Sequence, residues 1–114
     1  METDIKTATT DCNAISGTVS DADATAVFAE VALLVPQVQA ALQAIVNKKP
    51  VFDTVLLVTP LVKADLQRLQ PLTASLDTCL LNHTPADQVT TAQGYITQIN
   101  AAFTAACSAY GFTC

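Results

Sequence analysis

Between Pro50 and Leu81 the residues Phe52, Val55, Thr59, Val62, Leu66, Leu69, Thr73, Leu76 and Leu80 recur alternately three and four positions apart. That spacing places all of them on one face of a helix. Apart from the two threonines the face is apolar, so it has to be covered, and the rest of the chain supplies three more segments with the same spacing. Pro60 and Pro71 interrupt the stretch. Each removes a backbone donor and crowds the carbonyl four residues earlier, on Leu56 and Gln67. The pattern predicts a short first piece, a restart with Thr59 as cap and Pro60 in the first turn, and a further break at Pro71.

The covering segments read as follows. From Asp4 to Val19, the residues Ile5, Ala8, Cys12, Ile15 and Val19 form a short stripe. Ser20 and Asp21 then offer caps for a helix from about Ala22 to Asn47, with Val27, Val31, Leu34, Val38, Ala41 and Ile45 on its seam and Phe28, Val35 and Leu42 beside it. Pro36 lies inside that helix, and Lys48-Lys49-Pro50 is expected to end it. Thr84-Pro85-Ala86-Asp87 has the form of a capped start, followed by Val89, Ala92, Ile96, Ile99, Phe103, Ala106 and Tyr110, with Gly111 as terminator. No stretch alternates with period two, and no Asn-Gly or Asp-Gly hairpin occurs. The expectation is all-α: one domain over residues 1–114, an up-down bundle of four to five helices with kinked members.

Apolar residues make up 51% of the chain and charged residues only 13%. The uninterrupted aliphatic runs, Val31 to Val35 and Val55 to Val58, fall far short of the roughly 18 residues that cross a bilayer, so a soluble chain is expected. A formal charge of -5, with five basic residues that form no patch beyond Lys48-Lys49, excludes nucleic acid and anionic lipid surfaces as expected partners. The opening METDIKTATTDC lacks the apolar core of a secretory signal. Either the protein is cytosolic or this is a mature chain, and four cysteines with a sequon at Asn82-His83-Thr84 favour the second. Pro85 directly after that sequon is an unfavourable context for a glycan on Asn82.

Catalysis has no visible seat, so an enzyme is not expected. His83 is the only histidine and falls in a turn, and no Glu-x-x-His motif provides a bundle metal site. Asp65 and Asp77 lie on helix flanks, off the seam, and do not form paired inward acids. Neither a metal nor a cofactor is expected. Four cysteines permit three full pairings. Cys79 and Cys107 would lie on the order of 30 Å apart along a helix, so Cys12 is expected to meet Cys107 or Cys114, with Cys79 a buried free thiol. That all four are small core residues has equal weight.

Mid-segment prolines, many alanines and no tryptophan describe helices that bow apart around a central apolar cavity. A large empty cavity costs about 24 cal/mol per Å3, so it persists only where a guest fills it. A single acyl chain suits it, at roughly 0.8 kcal/mol per buried methylene. The expected lining is Ile15 and Val19 from the first segment and Phe28, Val31, Val35, Val38 and Leu42 from the second. The third adds Phe52, Val55, Val62, Leu66, Leu69 and Leu76, and the fourth Ala92, Ile96, Ile99 and Phe103. Thr59 and Thr73, polar on an apolar seam, and Gln37 at a seam edge are the candidate contacts for a head group, set against hydroxyls that bond their own backbone.

The runs Ala44-Ile45-Val46-Asn47-Lys48-Lys49-Pro50-Val51-Phe52-Asp53, Leu61-Val62-Lys63-Ala64-Asp65-Leu66-Gln67-Arg68-Leu69 and Asn82-His83-Thr84-Pro85-Ala86-Asp87 resemble the fungal hydrophobic surface-binding protein A family, which includes cell-wall galactomannoprotein antigens. The resemblance implies a secreted or wall-associated five-helix domain whose long cavity captures fatty acids such as palmitic or arachidonic acid. It would act as a monomer or weak dimer, without chemistry. The alternative is an adhesion module that coats hydrophobic solids and recruits partner enzymes.

Overall fold

The computed structural model describes residues 1–114. It contains four helices, α1 (Glu2–Asn13), α2 (Asp21–Phe52), α3 (Val58–His83) and α4 (Val89–Ala109), and no strand. Contacts at one end fix their directions. The Val19 amide donates to the His83 carbonyl at 3.0 Å, and the Gln88 side chain donates to the Asp21 carbonyl at 3.3 Å. The ends of α1 and α3 therefore meet the starts of α2 and α4, giving up-down-up-down topology in a body of 50 × 22 × 20 Å. Within it α2 lies along α4 and α1 against α3.

Helix ends follow local chemistry. Ser20 accepts the Asp23 amide at 3.1 Å and caps α2. That helix runs through Pro36 and through Pro50, where the sequence suggested a stop. A proline in a helix costs about 3 kcal/mol, but it frees only one carbonyl, and bonds across the site offset part of that. Here the Asp53 amide donates to Lys49 at 2.8 Å, and Lys49 Nζ reaches Asp53 Oδ2 at 2.7 Å. Pro71 likewise leaves α3 continuous, held by Leu66 (1% exposed) on one side and Cys79 on the other. The count is therefore four, not five. Thr84 donates to the Leu80 carbonyl at 2.7 Å, finishing α3 instead of starting α4, which begins only at Val89.

The turn between α2 and α3 contains Leu57 at φ 68°, in the left-handed region. A side chain there costs roughly 1–2 kcal/mol, partly offset in glycine by its greater unfolded freedom. Leu57→Gly should therefore raise stability by about 0.5–1 kcal/mol, read as a shift in urea midpoint. Thr59 donates to Asp53 Oδ1 at 2.6 Å across this turn, and the Lys49 ammonium with this hydroxyl holds the Asp53 carboxyl below its ordinary pKa.

The buried cluster joins Val35 and Leu42 of α2, Leu66 of α3, and Ile99, Phe103, Ala106, Cys107 and Tyr110 at and beyond the second half of α4. Tyr110 donates its hydroxyl to Ile45 at 2.9 Å, satisfying the one polar atom that enters it. The inward face of α2 is rotated one residue from the expected seam: Val35 is 2% exposed while Leu34 is 52% exposed. Alanines and single glutamines break up the aliphatic runs, yet α2 as a whole is long and apolar enough to cross a membrane by length and composition.

Disulfides join Cys12 to Cys79 and Cys107 to Cys114. Neither pairing considered for Cys12 forms, and Cys79 is not a free thiol. The separation of Cys79 from Cys107 leaves α1 free to decide the pairing: α1 runs parallel to α3 and brings Cys12 beside Cys79.

Candidate functional site

The interior is not hollow along its length. Val35, Leu42, Leu66 and Phe103, four of the expected lining residues, are packed into the buried cluster, with Val38, Phe52, Val62 and Leu69 against it. Aliphatic side chains of α2 and α3 meet Phe103 and Ala106 of α4 there, closing this part of the interior. The most apolar space lies at the other end, beneath the Cys12–Cys79 bridge, as a partly open cavity of about 110 Å3. Thirteen of its sixteen lining residues are hydrophobic.

Each wall has a local cause. Residues 14–20 leave the helix after Asn13 and turn at Gly17 (φ 71°), which lays Ile15 and Val19 across the opening. His83 Nδ1 donates to the Gly17 carbonyl and holds that strap down, which fixes the ring tautomer because a carbonyl only accepts. The first turns of α2 contribute Ala24, Val27, Phe28 and Val31, and α4 contributes Ala92, Tyr95, Ile96 and Ile99. Phe28 and Tyr95 meet with ring centroids 6.1 Å apart.

From α3 come Asp77, Leu80, Leu81 and His83, with Thr84 just beyond its end. This face lies one position round from the seam that runs through Thr73 and Leu76, and Leu76 is absent from the wall. Asp77, expected on an outer flank, therefore faces the cavity. Its Oδ2 is buried and has no hydrogen-bond partner. Burial raises the Asp77 pKa to about 6. A pKa raised by folding contributes stability that is complete below the unfolded value and is lost as pH rises through the folded one. Asp77→Asn should therefore gain stability over the native chain as pH goes from 4 to 7, by about 1–2 kcal/mol after discounting solvent screening, measured by denaturant titration across pH.

The expected head-group contacts, Thr59, Thr73 and Gln37, lie elsewhere. Thr73 donates to the Leu69 carbonyl at 2.9 Å, Thr59 is engaged by Asp53, and Gln37 is exposed on α2. Val55 is half exposed in the α2–α3 turn. Asn82 is exposed in the last turn of α3, beside the cavity mouth. Sequence reasoning missed Asp77, Ala24, Tyr95 and Leu81, and it put Val27 and Leu80 on inward seams without naming them in the wall; a trace was present in the Asp77, Leu80, Leu81, Thr84 spacing, which is helical in its own right. Cys12, Cys79 and His83 bring ligand-type atoms within 4.8 Å of one another, but the two sulfurs are bonded together and offer no thiolate to a metal.

The sequence profile for hydrophobic surface binding protein A matches residues 1–82. The chain belongs to that family. Among solved structures, the family member is similar to the crystal structure of Afmp4p in complex with palmitic acid, at 35% identity and a TM-score of 0.88, over 96% of this chain and 72% of that one. Curated proteins gave no match. An apolar helical body with a partly open apolar cavity, in a hydrophobic surface binding protein A family member, is a binding architecture.

Proposed function

We propose that this chain is a carrier that encloses part of the acyl chain of a long-chain fatty acid, without chemistry, in a secreted or cell-wall setting. The observation that carries this reading is the cavity, walled almost wholly by aliphatic and aromatic side chains, in a fold similar to one captured with palmitic acid. Ile15, Val19, Phe28, Val31, Ala92, Ile96 and Ile99 contact the ligand in this reading. An apolar cavity of about 150 Å3 takes benzene. The present 110 Å3 therefore accepts only a few methylenes, and a longer chain leaves through the open side or spreads α2 from α3. The wider groove between α2 and α4, near 380 Å3, is more open to water, and four of its nine lining residues, Gln39, Gln43, Thr97 and Gln98, are polar beside Leu42, Val46 and three alanines, which suits an acyl chain less well.

Native mass spectrometry of delipidated protein mixed with palmitate or arachidonate tests the reading, with a one-to-one adduct as the expected result. No adduct with either would end it. Paired cysteines support an oxidising compartment.

A second reading, adhesion to hydrophobic solids, is favoured by the far end of the molecule. There Leu56, Leu57 and Leu61 are 87%, 70% and 60% exposed around the α2–α3 turn. Leu56→Ser with Leu61→Ser should reduce adsorption to polystyrene beads at least severalfold while leaving palmitate uptake unchanged. Equal adsorption by the variant would remove this tip from consideration.

A further inference from the structure

Asp77 is the one carboxylate in the cavity wall, and it stands without a partner. The titratable side chains around it are few. His83 follows on its own helix with its Nδ1 committed to Gly17, and α4 brings Tyr95. From α2 the wall has only Ala24, Val27, Phe28 and Val31, and from α1 and its strap only Cys12, Ile15 and Val19, so no cation from those elements meets the carboxyl. A buried oxygen without a hydrogen bond is among the more costly features a fold carries, and it calls for an explanation. An apolar cavity that needed only to hold methylenes would be better served by leucine at this position. A ligand that brings its own polar end would satisfy the orphaned Oδ2.

We propose that Asp77 anchors the head group of the bound lipid by sharing one proton with the ligand carboxyl, so that a fatty acid is taken up in acidic surroundings and released towards neutrality. This rests on the carrier reading above and adds to it which end of the ligand is buried and what governs its release. When Asp77 is already protonated, its O–H donates to the incoming carboxylate and nothing else changes. When both groups are ionised, two like charges would meet in an apolar enclosure, so the complex forms only by taking up one proton from solvent, which then sits between the two carboxyl oxygens. Burial has already moved the free carboxyl into the range where this switch operates. Affinity for a fatty acid should then be level in mild acid and fall by up to about tenfold per pH unit above pH 6, one proton being linked to binding. A ligand of the same length with a hydroxyl head donates to the Asp77 carboxylate and needs no proton, so its affinity should be nearly level with pH.

The test is calorimetric titration of delipidated protein with dodecanoate and with dodecan-1-ol at pH 5.5 and 7.5, using the native chain, Asp77→Asn and His83→Gln. Dodecanoate should weaken at least tenfold between the two pH values for the native chain and for His83→Gln, and less than threefold for Asp77→Asn, whose amide donates at either pH. Dodecan-1-ol should change less than threefold throughout. Retention of the slope by Asp77→Asn, its loss in His83→Gln alone, or an equal slope with the alcohol would overturn the proposal. Absence of binding by the native chain to either ligand at both pH values would end the carrier reading and this proposal with it. A second measurement does not depend on the variants: the carboxyl carbon resonance of Asp77 should titrate near pH 6 in the free protein and at least one unit higher with dodecanoate bound. A midpoint unmoved or lowered by the ligand would also overturn the assignment.

Discussion

Replacing Cys12 and Cys79 together with serine is expected to lower unfolding free energy by about 4 kcal/mol, since the bridge closes a loop with a sequence separation of 67. In a domain of this size that corresponds to a fall in Tm of roughly 15 °C. The same change at Cys107 and Cys114, separated by 7, should remove only about 2 kcal/mol. Differential scanning calorimetry of the two double variants checks the order, and a larger effect from the short loop would contradict the loop-closure account. The long bridge also has a functional consequence. α1 packs on α3 and is otherwise joined to the body through the strap at residues 14–20, where Ile15 and Val19 cover the cavity. Without the bridge, amide exchange should accelerate across residues 2–19 before the rest of the molecule opens.

The all-helical, up-down arrangement was legible, and the helix count was legible only to within one: apolar spacing in segments two, three and four survives as α2, α3 and α4, and short connections force neighbours to run antiparallel. The prolines misled because a breaker is a local penalty, and local penalties yield to tertiary contacts that lie far away in sequence. Pro50 is bridged by the Lys49–Asp53 pair, and Pro71 sits between buried Leu66 and crosslinked Cys79. The cavity was legible in chemistry but not in place. Periodicity identifies a face to within about one residue, which is 100° of rotation. That margin separates Leu76 on one side from Asp77 on the other. Spacing cannot show where opposing faces close up and where they stand apart. Here the difference comes from α1, whose strap props one end, while Phe103 and Tyr110 fill the other.

Filling that space from within should have the largest effect on binding. Ala92 is 6% exposed and its Cβ faces the cavity from the start of α4. A phenyl ring is benzene-sized, so Ala92→Phe would fill the whole 110 Å3 and press on its walls. About four ligand methylenes would be displaced, removing roughly 3 kcal/mol of burial and weakening fatty-acid binding by about two orders of magnitude. Because most of the ring enters existing space on a partly open side, the loss of stability should stay at the low end, about 1 kcal/mol, of the 1–3 kcal/mol usual when a full core is overpacked. Leu66→Ala, in the buried cluster, should do the reverse. It should cost about 2–5 kcal/mol of stability while leaving affinity within about threefold at temperatures where the variant is folded. Paired thermal melts and palmitate titrations separate the two ends of the molecule. If Ala92→Phe bound palmitate as tightly as the native chain, the acyl chain would have to lie outside this cavity, and the open groove between α2 and α4 would become the place to look for it.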